Sequence, residues 1–567
     1  MPDRSSLAQN TYDLIAIGGG INGAGIARDA ALRGLKTLLI EKLDFGGGTT
    51  SWSTRLIHGG LRYLEHFEFG LVRESLRERE ILLRIAPHLV KPLPLTIPVY
   101  RTGSRAYWEI QAGMLLYDLL SYDKTLPTHR LFPAATFHQV FRSVNVEALT
   151  GAAQYYDAQV EYAERLCLET VQSAQAAGAD VLNYTQVVDI QRQGNIISHL
   201  VCQDVLEGDQ FAIAAGASTV VVNASGPWVD AVCGIGSEGG RPSPLSRDRS
   251  IGGTKGSHIV VAPFPGAPDT ALYVEAHRDG RPFFVVPWLG LYLIGTTDIR
   301  YDGDLDRVKA TNDEIDYLLA ETNRVLPTAG LGRADVLFTY SGVRPLPYST
   351  GKTVSSITRR HILKDHQPDG VANSISLVGG KLTTHRSSAR EMVDAVYRKL
   401  GRSAPPCTTA EQPLPGAIQP DDPLRLEMAK AYSDRLPAAT VHHLFALYGQ
   451  QTPRVLALGD ETPELLEPIL AGQPDIKAQI VYAVRHEFAR TLVDITRRRT
   501  ALAIRCQYGD TALPVLADIL ARYCSWSAAE CDRQIEAHHA YMQANCIPDY
   551  ALPAIVSTAE SSQPSSS

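Results

Sequence analysis

The chain holds 567 residues, 44% hydrophobic and 20% charged, with a formal net charge of -7, enough for two or three domains with sizeable cores. That balance speaks against a nucleic-acid protein, which would carry a basic excess on some domain, and no run of about eighteen apolar residues offers a membrane-spanning helix. The opening Met1-Pro2-Asp3-Arg4 lacks the basic-then-apolar order of a signal peptide, and the eight cysteines stand singly, with no Cys-x-x-Cys pair and no histidine at zinc spacing. The expectations are a cytoplasmic-side location, buried free thiols and no metal.

A strand-like run at 12–17 enters the turn Gly18-Gly19-Gly20-Ile21-Asn22-Gly23, and a second apolar run at 37–40 ends at Glu41. Gly18, Gly20 and Gly23 stand at Gly-x-Gly-x-x-Gly spacing: the first permits a tight turn, the second lets a pyrophosphate reach the backbone, and the third lets helix pack on strand. The helix expected over 21–33 points its unpaired N–H groups at phosphate, and Glu41 is placed to accept from ribose hydroxyls. The small-residue loop Gly46-Gly47-Gly48-Thr49-Thr50-Ser51 has the composition of a segment that approaches a ligand or turns sharply. Residues 65–86 read as a charged amphipathic helix, and Pro92, Pro94 and Pro98 mark extended chain. Residues 108–120 form a helix candidate with a broad apolar face, for which core or dimer packing competes with a dip into a lipid interface.

Further on, a strand candidate at 219–223 runs into Ala224-Ser225-Gly226-Pro227-Trp228, and candidates at 257–261, 283–287 and 291–298 give a β-rich middle. Gly234-Ile235-Gly236-Ser237-Glu238-Gly239 repeats the nucleotide spacing, but Pro242 and Pro244 occupy what would be the helix, so it is read as a decoy. A strand at 374–378 leads to Gly379-Gly380-Lys381-Leu382-Thr383-Thr384 and a helix through about 400. A proline-rich linker follows, then a mostly helical stretch over 423–542 and a polar tail.

One true nucleotide turn, joined by a second glycine turn that enters a helix, suits a cofactor bound along its whole length, FAD rather than NAD. The Gly379-Gly380 turn then brings a helix N-terminus near the pyrimidine end of the isoalloxazine, where negative charge develops on reduction. An ordinary strand-to-helix turn is the competing reading. Without a second fingerprint for a nicotinamide, the electrons are expected from a small substrate.

The strings Ile17-Gly18-Gly19-Gly20-Ile21-Asn22-Gly23-Ala24-Gly25, Leu56-Ile57-His58-Gly59-Gly60-Leu61-Arg62-Tyr63-Leu64, Lys255-Gly256-Ser257-His258, Gly295-Thr296-Thr297-Asp298, Tyr340-Ser341-Gly342-Val343-Arg344-Pro345-Leu346 and Gly379-Gly380-Lys381-Leu382-Thr383-Thr384 stand in this order. Together they resemble the FAD-dependent glycerol-3-phosphate dehydrogenases of the aerobic respiratory type, over about residues 12–386. A weaker, helical likeness continues through His486-Glu487-Phe488-Ala489-Arg490-Thr491 and Arg497-Arg498-Arg499-Thr500. The resemblance implies an α/β fold: a Rossmann-like FAD-binding domain of the glutathione-reductase, D-amino-acid-oxidase-like type, discontinuous over 10–90, 150–250 and 340–402. A β-rich substrate-binding domain is expected over 91–149 and 251–339, a C-terminal helical domain over 415–550, and disordered tails at 1–9 and 551–567.

The implied reaction oxidises sn-glycerol 3-phosphate to dihydroxyacetone phosphate, with hydride passing from C2 to FAD N5. Arg62, Tyr63, Arg344, Arg359 and Lys381 are the candidates for the substrate phosphate, since arginine donates in a planar fork and lysine adds a point charge. His258 is the first choice for the base and His58 the second, with ordering of the flavin-facing loop as the other reading of His58. Arg344 stands open between holding phosphate and stabilising a developing alkoxide. For the cofactor the resemblance carries over Gly18, Gly20, Gly23, Glu41, Lys42, Thr49, Thr50, Ser51, Gly59 and Gly60, with Ala224, Gly226, Trp228, Lys381 and Leu382 as later contacts. The glycines 46–48 and Trp52 depart from the family's loop. The implied acceptor is a quinone, with peripheral attachment to the cytoplasmic face of the inner membrane and a homodimer. The rivals are glycerol-3-phosphate oxidase, which uses oxygen and releases hydrogen peroxide, an amine or amino-acid oxidase, and a non-catalytic FAD-binding protein.

Overall fold

Leu14–Ile17 is wholly buried and pairs in parallel with Thr37–Ile40 on one side and Val220–Asn223 on the other, Leu14 standing opposite both Thr37 and Val220. Short aliphatic runs covered on both faces are what a parallel sheet requires. The full order is Ile362–Asp365, Ser374–Val378, Val220–Asn223, Leu14–Ile17, Thr37–Ile40, Asp180–Leu182, with Ile362–Asp365 as the antiparallel edge. The structure, a computed structural model, describes residues 7, 10–236, 243–350 and 357–552. The tails expected at 1–9 and 551–567 therefore lie mostly outside the described residues, as does the decoy turn from Ser237 onward, while Leu7 is buried.

Side chains alternate across this sheet as the period of two demands. Leu14, Ala16, Leu39, Val220 and Val222 meet the helices Ile21–Leu32, Ala163–Ala176 and His385–Lys399. Ile15, Ile17, Leu38 and Val221 face the other way and pack against Val187, Ile190, Leu200 and Ile213 of the antiparallel meander Thr185–Gln193, Ile196–Asp204, Gln210–Ala214.

The second layer is a ten-stranded sheet. Val90–Tyr100 pairs antiparallel with Leu149–Val160 along its whole length. Its prolines 92, 94 and 98 share one parity, so their missing donors fall on a single edge, and there Ala271–Glu275 pairs only with Leu95 and Thr96. Thr254–Val261 lies between Leu291–Gly295 and Val336–Arg344, which sets His258 opposite both Gly295 and Tyr340. The positions 150 and 340, expected as boundaries, fall inside strands of this sheet, Leu149–Val160 and Val336–Arg344.

One helical expectation needs correction. The helix expected over 65–86 is split into a 3₁₀ turn, Leu61–His66, and an α-helix, Phe69–Ile85, with Phe67 between them at φ 55°. The split lets Leu61, Tyr63 and Leu64 turn toward the large sheet while the helix buries Val72, Leu76 and Leu82 along its own stripe. The helix after the second glycine turn starts at His385, because Gly379 and Gly380 both take positive φ, 84° and 97°, and the chain needs four further residues to reverse.

From Pro423–Ala431 to Ala528–Asn545 the chain is helical around its own core of Leu444, Leu456, Ile480, Leu502 and Leu516. The eight cysteines are free, six buried and two partly so. No helix among the described residues is long and apolar enough to cross a membrane. Helix Phe69–Ile85 is tied to helix His385–Lys399 by Arg386, whose Nε donates to Glu78 Oε2 at 2.7 Å, with side chains 6% and 3% exposed. Removing one partner of a buried pair leaves an uncompensated charge, so R386M is expected to lower unfolding free energy by about 3–5 kcal/mol in a denaturant titration.

Candidate active site

A cavity of ≈ 510 Å³ opens at the carboxyl ends of Leu14–Ile17, Thr37–Ile40 and Val220–Asn223 and is closed by residues of Thr254–Val261 and Val336–Arg344. Ligands of open α/β sheets bind at such strand ends. One end is lined by Gly18, Gly20, Asn22, Glu41, Lys42, Thr49, Thr50, Ala224, Gly226 and Trp228. Gly18 has φ 108°, and a Cβ there would lie 2.8 Å from the Ala224 carbonyl. At Gly20 the nearest atom to an added Cβ is Thr50 Oγ1 at 3.5 Å, so the backbone lies open to the cavity. Thr50 Oγ1 accepts from Ile21 N at 3.1 Å, clasping the helix start and leaving the positive end of its dipole toward the cavity.

Glu41 accepts from Gly19 N at 2.6 Å and Leu43 N at 2.9 Å, and burial pushes its carboxyl up against those bonds. Lys42 lies over the Trp228 ring, 4.5 Å from its centroid, and both side chains donate to Asp306.

Five carried-over positions do not line the cavity. Gly23 is a packing glycine, since a Cβ would sit 1.8 Å from Gly18 O. Ser51 donates to Gly46 O and orders the loop from within. Gly59 and Gly60 make room for Tyr117 and the Tyr63 ring respectively. Arg62 is half-buried outside the lining, where its charge acts on Tyr63 and Tyr273.

The other end is cationic. Arg344 Nη1 donates to Asp298 Oδ1 at 3.0 Å, and Arg359 Nη2 reaches Asp298 Oδ2 at 3.5 Å. One carboxylate thus serves two guanidinium groups, and Arg359 Nη1 is buried with no partner among the described residues. Lys381 Nζ stands 3.8 Å from the Tyr63 ring centroid and 3.3 Å from Ser75 Oγ, and burial lowers its pKa to about 7. Gly256 is required here, because a Cβ would lie 2.4 Å from Arg344 Nη2.

His258 is 2% exposed, with Nε2 hydrogen-bonded to Thr54 Oγ1 at 2.9 Å, the ring stacked on Tyr340 at 4.7 Å, and Nδ1 without a partner. Burial, then the Arg344 and Arg55 charges, hold its pKa well below the ordinary value, so the ring is neutral. His58 also lines the cavity, edge-on to Phe284, and its backbone N donates to Thr383 Oγ1, joining the loop to the second glycine turn. Thus His58, Tyr63, His258, Arg344, Arg359 and Lys381 meet in one cavity, and Arg62 does not.

Asp298, Asn22, Tyr541 and Asn545 are among the lining or supporting residues not foreseen. Asp298 sits in a quoted string, where an acid among cations was the available signal. Asn22, Tyr541 and Asn545 line the cavity with no sequence signal beyond polarity. Asn22 Oδ1 is buried without a partner, and a Cβ on Gly380 would fall 2.9 Å from Asn22 Nδ2. An unsatisfied acceptor between two glycine turns, above an open helix N-terminus, fits a long group carrying donors and a pyrophosphate.

The comparisons agree with that donor set. The FAD dependent oxidoreductase family matches residues 13–395, and the C-terminal domain of alpha-glycerophosphate oxidase matches 407–531. A glycerol-3-phosphate dehydrogenase of Synechocystis is 62% identical over 96% of this chain and 99% of its own length. The aerobic glycerol-3-phosphate dehydrogenase of Escherichia coli is 38% identical over 86% of this chain and 94% of its own. The solved glycerol-3-phosphate dehydrogenase of Bacillus halodurans, complexed with FAD, superposes with a TM-score of 0.75 at 28% identity, covering 95% and 96% of the two chains. The chain belongs to the FAD-dependent glycerol-3-phosphate dehydrogenase family. It is an oxidoreductase with FAD as cofactor, on a D-amino-acid-oxidase-like α/β fold with a helical C-terminal domain.

Ala at Gly380, at φ 97°, would be strained and would press on Asn22. G380A is expected to purify with far less than one flavin per chain, read from the ratio of visible to ultraviolet absorbance, while the far-ultraviolet circular dichroism stays unchanged.

Proposed function

We propose that the enzyme oxidises the C2 alcohol of sn-glycerol 3-phosphate to dihydroxyacetone phosphate and passes the electrons to a quinone at a membrane surface. The observation that carries this reading is the surplus of cations at one end of the cavity: Arg344 and Arg359 on one Asp298, an Arg359 Nη1 with no partner among the described residues, and Lys381. In this reading the phosphate dianion takes the place of the missing counter-charge, held by Arg359 and Lys381 with Tyr63 beside them. Arg344 then holds phosphate or the oxygen on C2, where negative charge grows as the hydroxyl proton leaves. The neutral ring of His258, oriented by Thr54 and Tyr340, takes that proton. Bound flavin supplies the hydride acceptor. Gly18, Gly20, Glu41, Lys42, Thr49, Thr50, Ala224, Gly226, Trp228, Lys381 and Leu382 line the cavity and would hold the flavin nucleotide, while Gly23, Ser51, Gly59 and Gly60 shape the loops behind them.

The helix Tyr107–Leu120 supports the membrane part of the proposal. Ile110, Met114 and Tyr117 face the core, whereas Trp108, Leu115 and Leu119 are 67%, 64% and 68% exposed, beside Phe67 and Tyr122 at 78% each. Such a patch marks an interaction surface, and we assign it to a lipid surface on the cytoplasmic face of the inner membrane. Co-flotation with anionic vesicles is expected for the parent and lost in W108E/L115E; a parent that does not float but is a dimer, and becomes monomeric in the variant, would refute the lipid assignment.

The central experiment is the anaerobic spectrum. Glycerol 3-phosphate is expected to bleach the yellow holoenzyme and glycerol is not; equal bleaching by both, or by neither, overturns the substrate. R359E is expected to raise KM roughly 30-fold or more, about 2 kcal/mol for a charge-assisted bond, and unchanged KM refutes the phosphate assignment. Peroxide formed one-for-one with product in the absence of quinone would assign the oxidase activity instead.

Lys381 adds a pH prediction. With burial lowering its pKa to about 7, the amine is mostly neutral at pH 8, and a dianion favours its protonated form. Binding at pH 8 is therefore expected to take up close to one proton, and affinity to fall by up to about tenfold per pH unit above 7. Calorimetry in two buffers of different ionisation enthalpy reads the uptake, and K381M should abolish it.

A further inference from the structure

The helical C-terminal domain has no part in the mechanism so far, yet one of its turns reaches the catalytic cavity from behind. The segment Asp494–Arg499 is a π-helical turn, a rare geometry that recurs at functional sites. It drives three successive arginines inward, Arg497, Arg498 and Arg499 being 2%, 6% and 1% exposed. Arg498 and Arg499 both close on Asp44, at 2.7 Å each, and account for that carboxylate.

Arg497 is different. It shares Glu164 with Arg55, which binds that carboxylate with both terminal nitrogens, so Arg497 is left with a 3.3 Å contact to Oε1 and a 3.4 Å donation to Ser51 O. Its Nε has no partner among the described residues. What the guanidinium does have is aromatic surface: it lies 4.6 Å from the Trp52 ring, 5.5 Å from Phe338 and 5.6 Å from Tyr340. Trp52 lines the cavity, and Gly342 is needed to admit it, since a Cβ there would lie 2.6 Å from Trp52 Cβ. Tyr340 carries the His258 ring on its face and donates its hydroxyl to Ser53 O at 2.8 Å.

A cation over aromatic faces inside a desolvated core is attracted by the ring quadrupoles with little competition from water, and here those faces belong to the wall behind His258. We propose that Arg497 is a positioning residue, supplied by the C-terminal domain, that fixes the loop from Ser51 to Thr54 and, through Tyr340, the ring of His258. The inference rests on the reading of His258 as the base.

The test is a double-substitution cycle with R497M, which keeps apolar volume and removes the fork, and H258N, each measured per bound flavin. R497M is expected to lower kcat roughly tenfold or more with KM for glycerol 3-phosphate changed less than about threefold, and R497K to recover part of that loss. In the H258N background, R497M should cost almost nothing further, because its effect passes through the histidine. A readout independent of turnover is FAD retention, with Trp52 and the loop loosened: the FAD dissociation constant of R497M should rise several-fold.

Equal losses from R497M in both backgrounds, or a kcat within twofold of the parent with only a lower Tm, overturn the proposal and leave Arg497 as a structural residue. If H258N itself keeps parental kcat, the assignment of the base has failed rather than the positioning. Should R497M not fold, R497K and Tyr340→Leu carry the same cycle, and additivity of both with H258N overturns the proposal.

Discussion

Asp298 stands within reach of both Arg344 and Arg359, and a single carboxylate cannot neutralise two guanidinium groups. The site is therefore left electropositive at that end, and several features of the chain follow from that imbalance. Gly256 is bare so that Arg344 can cross the strand above it, and the pairing of Thr254 with Arg344 puts that arginine at the end of the strand that carries His258. Burial, with the charges of Arg344 and of Arg55, keeps His258 neutral and so able to accept a proton. Lys381, its pKa lowered by burial to about 7, supplies a cation whose full charge an anion would restore.

Around that end, buried polar groups fix loops that have little apolar content of their own. Asp157 accepts from Arg79 Nη1 at 2.6 Å, from Tyr117 OH at 2.7 Å, and more distantly from Gly59 N. The inner face of helix Tyr107–Leu120 thereby holds the loop beside His58, while its outer face stays exposed. A surface contact at that helix and the geometry of the cavity wall share one rigid element, with Tyr117 at the junction.

The first sheet was legible because its rules are local. Alternation, strand length and the glycine spacing of 18, 20 and 23 each follow from backbone sterics, and the parallel register came out as such patterns require. The cation cluster was legible only through the resemblance, since no spacing brings Arg344, Arg359 and Lys381 together; the sheet and the second glycine turn do. What stayed hidden was whatever depends on a partner distant in sequence. Arg62 sits next to Tyr63 in the chain, yet it falls outside the cavity because Gly60, at φ 78°, turns the 3₁₀ segment so that Tyr63 faces in. Asp298 looked like one acid in a loop until two arginines were found on it. The break at Phe67 was masked by an unbroken helical pattern of charges from 65 onward.

Tyr541 and Asn545, on the last long helix, line the same cavity as Ile17 and Gly18 on the first strand. Residues that close the wall are thus drawn from nearly the full span of the chain, and loop closure over such separations is paid before the contacts return anything. During synthesis, the nucleotide turn leaves the ribosome more than five hundred residues before the helix that completes its enclosure. Until the helix Ala528–Asn545 docks, the wall lacks Tyr541 and Asn545, and the cofactor chamber stays open on that side.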